Sequence, residues 1–412
     1  MSNYKQAIEV IRRLRERGFT ALLAGGCVRD RLLGRTPSDF DVATNAVPQE
    51  VTKLFRRTLT VGAQFGVVMV LLGDKQVEVA TFRTEGGYQD GRRPSQVAFC
   101  DAREDAARRD FTVNGMFYDP IEEKLYDFVG GQADIEAKVL RTIGSPEQRF
   151  SEDYLRMLRA VRFAVKLDFT IEPTTWRAIC AFADKVAAIS AERIAAELEE
   201  ILTHPNRRRG AELLAESGLC RAIFPAFDDA AVRKGAAVLG YLPHSVDAAS
   251  ALAAFWAEVS TEKALGFCRR LKLSNTQTKH IRFLLEHRGV LRNADMPLSQ
   301  LKLLAYEPYF EPLCLLEKAM LKAERKSPYA LNEIRRRALQ LDPQGIHPPP
   351  LLNGHTLMQM GASWPTLGRL ARELYIAQLE EHLKTPEQAK EWAAQWLKAY
   401  RAAHDPQSLR VS

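Results

Sequence analysis

The stretch DFDVATNA, from Asp39 to Ala46, places two aspartates on either side of a phenylalanine and then continues as a short apolar run. The run predicts a β-strand, in which residues two positions apart point to the same face. Asp39 and Asp41 would then project side by side, with Phe40 packed on the opposite face. Neighbouring carboxylates repel unless a cation lies between them, and Mg²⁺ binds such oxygens together with substrate phosphates. The pattern suits a two-metal site for phosphoryl or nucleotidyl transfer, although alone it more often marks a solvent-exposed strand.

The segment just before this strand, AGGCVRDRLLG (residues 24–34), adds features of a phosphate site. Gly25 and Gly26 fall where a short buried strand turns into a helix, and such a turn lets backbone N–H groups approach a phosphate. Arg29 lies one turn into that helix, within reach of a triphosphate. Each feature is common by itself, but the glycine pair, the arginine and D-x-D so close together form a specific pattern.

A third acid, Glu78, interrupts the apolar run QVEVATF (residues 76–82), which GDK joins to GVVMVLL as a predicted hairpin. Val77 and Val79 would face the opposite side. If this strand pairs with the D-x-D strand, Glu78 becomes a third carboxylate at the metal site. If it lies at the sheet edge, Glu78 is an ordinary solvated acid, and the sequence leaves both readings open.

The composition is that of an ordinary globular protein with a basic bias. The chain has 412 residues, 26% of them charged, and a net charge of +7, which suits a polyanionic partner such as RNA or nucleotide phosphates. The six cysteines are scattered without zinc spacing, which favours reduced, mostly buried thiols. The first residues predict an amphipathic helix rather than a signal peptide, and no apolar run is long enough to span a bilayer. We therefore expect a cytoplasmic protein, with no membrane association and no obligatory protein partner.

The pattern changes along the chain from mixed to helical. Strand and helix signals alternate up to about Arg141, whereas from about Ser145 onward nearly every segment has helical periodicity. The segment GIHPPPLLNG (residues 345–354) interrupts the helices, because consecutive prolines cannot continue one. The predicted fold is α+β, with a mixed head followed by a long all-helical part.

Three segments in fixed order carry a family resemblance: LLAGGCVRDRLLG with SDFDVATNA, RRDFTVNGMFYDP, and EDYLRMLRAVRFA. They resemble the signature motifs of the class II tRNA nucleotidyltransferases, which comprise bacterial CCA-adding enzymes and poly(A) polymerases. The resemblance implies a polymerase-β-like head at residues 1–141, a nucleotide-selecting neck at 142–210, a body at 211–346 and a tRNA-binding tail at 347–412. It also implies attack by an RNA 3′-hydroxyl on the α-phosphate of CTP or ATP, with two Mg²⁺ ions expected at Asp39 and Asp41.

The second motif, RRDFTVNGM, supplies residues that contact the nucleotide in the family. By resemblance Arg109 is the nucleotide contact, Asp110 orients the site, and Asn114 belongs to the same stretch. Arginine independently suits this role, because its fixed donors match a phosphate bidentately and an aspartate can hold the fork still. A surface ion pair would explain an isolated RRD triplet equally well.

The third motif places four charged residues three positions apart on a predicted helix, namely Asp153, Arg156, Arg159 and Arg162, with Leu155, Leu158 and Val161 on its packing side. We expect all four charged residues to contact the nucleotide. Asp153 and Arg156 resemble the pair that reads the base in this family. A carboxylate accepts from the exocyclic amino group of cytosine or adenine, and a guanidinium donates to a ring nitrogen or carbonyl. Without the other motifs, a surface salt bridge would be the simpler explanation.

Two further segments extend the resemblance. RTEGGYQDGRRPSQVAF (residues 83–99) resembles the flexible loop with which CCA-adding members switch from C to A, and a long polar hairpin is the alternative. The basic run at Arg207, Arg208 and Arg209 offers side chains for RNA phosphates, unless it is simply a solvated helix face.

The motifs are shared by three activities, so the sequence leaves a choice. Full CCA addition to tRNA is favoured, because no basic C-terminal extension is present and the segment after Gly354 resembles the tail of CCA-adding enzymes. Addition of the terminal A alone and poly(A) synthesis remain the alternatives within the family. An inactive RNA-binding descendant is the alternative from another class.

Overall fold

A computed structural model describes residues 3–60, 65–86 and 96–403 of the chain. The chain forms two compact units. The first comprises Met1–Gly240, His244–Ala248 and Glu262–Ser274, and the second comprises Tyr241–Pro243, Ala249–Thr261 and Asn275–Ser412. The predicted boundaries of head, neck, body and tail remain predictions.

The strands lie in the first unit. They are β1 (Ala21–Ala24), β2 (Asp41–Thr44), β3 (Thr58–Leu59), β4 (Val67–Leu72), β5 (Lys75–Thr81), β6 (Arg83–Gly86), β7 (Gln96–Phe99), β8 (Phe117–Asp119), β9 (Lys124–Tyr126), β10 (Val139–Leu140) and β11 (Thr170–Ile171). Seven of them form one sheet in the order β3-β4-β5-β2-β1-β8-β9, in which only the β2–β5 pair is parallel. Two small sheets, β6–β7 and β10–β11, complete the set.

The β4–β5 hairpin forms as predicted. Its two strands pair antiparallel, with Leu72 opposite Lys75. Gly73 adopts a φ of 67°, a left-handed conformation that favours glycine in such a tight turn. Val77 and Val79 are buried while Glu78 is exposed, so the strand presents its acid on one face and its apolar residues on the other.

Helices of the first unit surround this sheet and continue beyond it. They are α1 (Asn3–Glu16), α2 (Gly26–Leu32), α3 (Pro48–Leu54), α4 (Ala102–Arg108), α5 (Gly131–Glu136), α6 (Pro146–Glu152), α7 (Leu155–Leu167), α8 (Pro173–Phe182), α9 (Ala191–Thr203), α10 (Arg207–Glu216), α11 (Leu219–Ile223), α12 (Asp229–Gly240) and α14 (Thr261–Arg270). In α7, Leu155, Leu158 and Val161 are all buried, which confirms the predicted packing side. The helix ends at Asp168, whose φ of 60° stops the helical run.

The second unit is helical in the part of the chain that the structure describes. Its helices are α13 (Ala248–Phe255), α15 (Asn275–Glu286), α16 (Leu298–Tyr306), α17 (Phe310–Ala323), α18 (Tyr329–Leu339), α19 (Gly354–Gln359), α20 (Trp364–Leu379) and α21 (Pro386–Ala403). The proline segment separates α18 from α19, as predicted. Leucines and alanines of α19, α20 and α21 form one core cluster that includes Leu357, Leu374 and Leu397. The α+β class inferred from the sequence is therefore confirmed.

The sequence predicts reduced cysteines and no apolar segment long enough to span a bilayer. No disulfide joins any of the six cysteines, all of which lie in the described residues, and four of them are buried, namely Cys27, Cys220, Cys268 and Cys314. No helix within the described residues combines the length and the hydropathy that crossing a bilayer requires.

Candidate active site

A pocket of about 470 Å³ opens where β1 ends and β2 begins, and α7 forms part of its wall. Most of the predicted site residues line it. The lining comprises Ala24, Gly25, Gly26, Arg29, Asp41, Val42, Ala43, Val67, Glu78, Ala80, Arg83, Arg108, Arg109, Asp110, Asn114, Asp153, Arg156, Arg159 and Phe163. The lining therefore combines carboxylates with several arginines, whose guanidinium groups match phosphate oxygens.

Asp41 and Glu78 form the acidic edge of the pocket. The parallel pairing of β2 with β5 sets Val42 opposite Val79, so the two acids occupy equivalent positions on neighbouring strands. β5 lies between β4 and β2, so Glu78 is not on an edge strand. This placement favours the reading of Glu78 as a third carboxylate of the site.

The acidic edge is electrostatically strained. Burial of its carboxyl within the pocket, followed by the charge of Glu78, raises the pKa of Asp41 from 3.8 to about 6. Asp39 adds to the increase, whereas the Arg109 guanidinium opposes it. A positive charge beside Asp41 would relieve this cost. The donors are carboxylate oxygens, the ligands that Mg²⁺ prefers.

The position of Asp39 corrects one prediction. β2 begins at Asp41, so Asp39 precedes the strand instead of sharing it, and the first ladder pair joins Ala24 to Asp41. The Asp39 carboxylate accepts a hydrogen bond from the Ser38 hydroxyl at 3.0 Å and is not part of the pocket lining. Phe40 packs against Tyr4 with ring centroids 5.2 Å apart, as expected for its apolar side.

Gly25 provides the close approach that the glycine pair suggested. Its φ of 71° and ψ of −128° lie outside the range that side chains tolerate, and it directly precedes α2. A Cβ at this position would lie 3.2 Å from Nη1 of Arg109. The absence of a side chain therefore leaves room for the arginine on the pocket wall.

We expect Gly25→Ala to raise the KM for CTP about 10-fold, because the new methyl group displaces Arg109 and the backbone becomes strained. Steady-state kinetics at saturating RNA would measure the change. Gly34→Ala is the matched control, because Gly34 also has a positive φ but a Cβ there would meet no atom within 4 Å. An equal effect of both substitutions would contradict the role of the Arg109 contact.

Arg29 lies in the pocket wall but is only 4% exposed. It donates to Oδ1 of Asn114 at 2.7 Å and pairs with Asp30 at 2.7 Å. Its visible role is to fix Asn114, and its contact with a phosphate remains a prediction.

Asp110 anchors a network that joins the second motif to α7. Its Oδ2 accepts from Nε and Nη2 of Arg159 at 2.9 and 2.7 Å, and its Oδ1 accepts from Nδ2 of Asn114 at 3.1 Å. Burial disfavours the charged carboxylate, but the Arg159 charge and these hydrogen bonds outweigh it and lower the pKa of Asp110. Asp110 is therefore a fixed anion that orients its neighbours.

The position of Asp153 is a second correction. The residue does not lie on the helix of Arg156 and Arg159, because α6 ends before it and α7 begins at Leu155. Its Oδ1 accepts from the backbone N–H of Leu155 at 3.0 Å, and its Oδ2 accepts from Nη2 of Arg193 at 2.6 Å. Asp153 and Arg156 nevertheless both line the pocket.

Arg162 is placed differently from Arg156 and Arg159. Its Nε donates to Glu197 on α9 at 2.7 Å, and its guanidinium lies over the ring of Phe163. It is not among the residues that line the pocket. The structure thus gives Arg162 a role in joining α7 to α9, and its predicted contact with a nucleotide gains no support.

The basic run at residues 207–209 requires a third correction. Arg207 is 2% exposed and donates to the backbone carbonyls of His204, Thr203 and His244, so its guanidinium is not accessible to RNA phosphates. Arg208 pairs with Glu212 on the surface, and Arg209 pairs with Asp168. Contacts of Arg208 and Arg209 with RNA remain predictions.

The ribbon formed by β6 and β7 provides the base of the segment compared above with a flexible loop. Arg83 pairs with Phe99 and Gly86 pairs with Gln96. Residues 87–95, on which the prediction of mobility chiefly falls, lie outside the described residues.

Sequence reasoning missed the residues of α9 that support the pocket wall. Arg193 holds Asp153, and Glu197, which accepts from Arg162, also pairs with Arg159 of the pocket lining at 4.0 Å. Their spacing of four positions within AERIAAELEE marks one helix face, but a single sequence cannot show which acid or base in another helix they meet.

We expect Arg193→Ala to raise the KM for both CTP and ATP about 10-fold, because the Asp153 carboxylate loses a charged partner that fixes its direction. The KM for RNA should change less than about twofold, since α9 supports the nucleotide side of the pocket. Arg177→Ala is the control, because Arg177 donates to the Thr174 hydroxyl on the surface of α8 and does not line the pocket. Loss of kcat with unchanged nucleotide KM would contradict this role.

Comparison with known proteins places this fold and pocket in a defined class. Residues 21–141 match the model described as "Poly A polymerase head domain", and residues 168–231 match "Probable RNA and SrmB- binding site of polymerase A". Together with the acidic edge of the pocket, these matches define a nucleotidyltransferase with a head of the poly(A) polymerase type.

The chain belongs to the family of CCA-adding enzymes, which confirms the resemblance of the three motifs. It is 35% identical to the CCA-adding enzyme of Lactococcus lactis subsp. lactis (strain IL1403) over 395 residues, covering 94% of this chain and 96% of that protein. It is 43% identical to the enzyme of Streptococcus suis (strain 05ZYH33) over 217 residues, a match that spans about half of each chain, 52% and 54%. The crystal structure of the Bacillus stearothermophilus CCA-adding enzyme in complex with CTP superimposes with a TM-score of 0.79, at 27% identity, covering 98% of this chain and all of that one.

Proposed function

We propose that this protein is a template-independent tRNA nucleotidyltransferase that adds C, C and A, from CTP and ATP, to the 3′ end of tRNA. The observation that carries the proposal is a single pocket lined by Asp41, Glu78, Arg109, Asp153 and Arg156. Asp41, Glu78 and Arg109 serve the reacting phosphates, and Asp153 and Arg156 serve the base. Residence in the cytoplasm and the division into head, neck, body and tail belong to the same proposal.

The acidic edge would hold Mg²⁺, with Asp41 as a ligand and Asp39 and Glu78 as nearby carboxylates. Among the described residues no three acids, histidines or cysteines converge into a complete metal site. Mg²⁺ typically takes one or two carboxylates and completes its shell with phosphate oxygens and water. When bound, the metal supplies charge stabilisation to the attacking and leaving oxygens.

The chain's own residues bind and orient the reactants. Arg109, beside Asp41, offers its guanidinium group to the phosphates. The lack of a side chain at Gly25 leaves room for this group. The RNA 3′-hydroxyl then attacks the α-phosphorus, the bond to the β-phosphate oxygen breaks, and pyrophosphate leaves. Because little covalent chemistry falls to the protein, positioning and charge account for its contribution.

Base selection follows from the other wall. The Asp153 carboxylate accepts from the exocyclic amino group of cytosine or adenine, and Arg156 donates to a ring nitrogen or carbonyl. Uracil and guanine present a carbonyl oxygen where cytosine and adenine present the amino group, so they would repel the carboxylate. Arg193 donates to Asp153, and Arg156 donates to Glu152. These contacts fix the two side chains that read the base, so the protein selects the base without a nucleic-acid template.

The test is incorporation of labelled CTP alone, ATP alone and both together into tRNA that lacks its last three nucleotides. CCA addition predicts two C residues from CTP alone and a final A only when both nucleotides are present. Failure to add C to this tRNA, together with addition of a single A to a second tRNA that ends in CC, would instead indicate an A-adding enzyme, and long A tails would indicate a poly(A) polymerase. No incorporation at all would favour an RNA-binding descendant.

A further inference from the structure

Asp105 is a buried acid at the back of the pocket wall that neither the motifs nor the mechanism has used. It lies on α4 and is 1% exposed. Its Oδ1 accepts from Nε of Arg108 at 2.8 Å, and its Oδ2 accepts from Nε and Nη2 of Arg109 at 3.1 and 3.0 Å. One carboxylate thus contacts two neighbouring arginines of the pocket lining.

The charges of Arg108 and Arg109 explain why one acid at position 105 is important. Two adjacent guanidinium groups repel each other, and both are largely shielded from water, with side chains 18% exposed. Burial disfavours ionisation of Asp105, but the charges of Arg109 and Arg108 outweigh it and lower its pKa. The anion therefore offsets the repulsion between the two arginines.

Arg109 is fixed on its remaining sides by contacts in the head. Its guanidinium lies over the Phe117 ring, 5.0 Å from the centroid, and Nη1 lies 3.4 Å from the carbonyl oxygen of Asn114. A Cβ on Gly25 would lie within 3.2 Å of its Nη1, a tight contact. The position of this fork is thus set jointly by Asp105, Phe117 and Asn114.

Asp105 also joins the arginines to the β6–β7 ribbon. Its Oδ1 accepts from the backbone N–H of Arg83, the first residue of β6, at 3.2 Å. β7 ends at Phe99, and Asp101 caps α4 two residues later through a capping box with Glu104. Both ends of the ribbon are therefore tied to α4 within a short distance along the chain.

We propose that Asp105 is a positioning residue for nucleotide binding, which holds the Arg108 and Arg109 guanidinium groups at the pocket wall and ties them to the start of the β6–β7 ribbon. This inference rests on the proposed function of the same pocket. Asp105 lies behind the arginines, so it acts through them and not by contact with the substrate.

The test compares Asp105→Asn with the wild-type chain, using equilibrium dialysis of labelled CTP in the presence of Mg²⁺. Asparagine keeps the shape but removes the charge, and the Kd for CTP should rise about 10-fold or more. The KM for tRNA should stay within about twofold, because the arginines face the nucleotide. Asp119→Asn is the matched control, since Asp119 is also a buried acid of the head, 2% exposed, but pairs with Arg15 outside the pocket.

A double-mutant cycle with Arg109→Lys separates positioning from general support of the fold. If Asp105 acts through Arg109, the double variant should bind CTP about as weakly as Arg109→Lys alone. Additive losses, or an unchanged Kd for Asp105→Asn, would overturn the inference. A wild-type chain that binds CTP but does not transfer it would overturn the proposed function alone, whereas a wild-type chain that does not bind CTP would overturn both.

Discussion

Asp41→Asn is expected to lower kcat for CTP incorporation by about 10³-fold or more, because it removes the carboxylate at the head of β2 that faces the reacting phosphate. The nearest second acid, Glu78, is held on the neighbouring strand and cannot take its place. Single-turnover incorporation, with the enzyme in excess over tRNA and CTP at saturation, would measure the loss. Asp74→Asn is the matched control, because Asp74 lies in the exposed turn between β4 and β5 and should retain full activity.

The same substitution should not destabilise the protein. The folded state raises the pKa of Asp41 from 3.8 to about 6, so it binds this proton more tightly than the unfolded chain does. Stability contributed by this group therefore falls as the pH rises from about 4 to about 6 and remains at the lower level above that range. Asparagine removes this cost, so the melting temperature of metal-free Asp41→Asn at pH 8 should equal or exceed that of the wild type. Mg²⁺ should stabilise the wild type but not the variant, and a variant that melts well below the wild type would contradict this account.

Asp153→Asn is expected to lower kcat/KM for CTP about 100-fold and to reduce the preference for CTP over UTP by a similar factor. The reason is that an amide can donate to the carbonyl of uracil, whereas a carboxylate can only accept. Incorporation of each nucleotide, measured separately at subsaturating concentration, would give the ratio.

Asp168→Asn provides the control for this second experiment. Asp168 also pairs with an arginine, Arg209, but at the far end of α7, and its left-handed backbone suits asparagine. It should leave the CTP to UTP ratio unchanged. If Asp153→Asn lost activity with all nucleotides and kept the wild-type ratio, Asp153 would support the fold without reading the base.

The sequence predicted most reliably where a local pattern determined the structure. The glycine pair, the β4–β5 hairpin and the packing side of α7 all follow from residues a few positions apart. The sequence alone does not determine the role of Glu78, because that role depends on which strand pairs with β5, and β2 lies more than thirty positions away along the chain.

The corrections concern residues whose positions depend on other segments. Helical spacing continues through EDYLRMLR, so the sequence does not reveal the break between helices at Asp153. The structure shows this break and the contact of the Asp153 carboxylate with Arg193. Arg207 belongs to a run of three arginines, but it is buried and donates to backbone carbonyl groups, including that of the distant His244. Asp39 precedes β2 because the ladder with β1 begins at Asp41.

The central claim is that the acids of β2 and β5 act on a nucleotide selected by Asp153 and Arg156 in the same pocket. It is tested most directly by giving the purified protein equal concentrations of all four nucleoside triphosphates and tRNA lacking its last three nucleotides, and then sequencing the 3′ ends. The account predicts that C, C and A are added in that order and that addition then stops. Ends that carry U or G as often as C, or that continue into A tails, would contradict it.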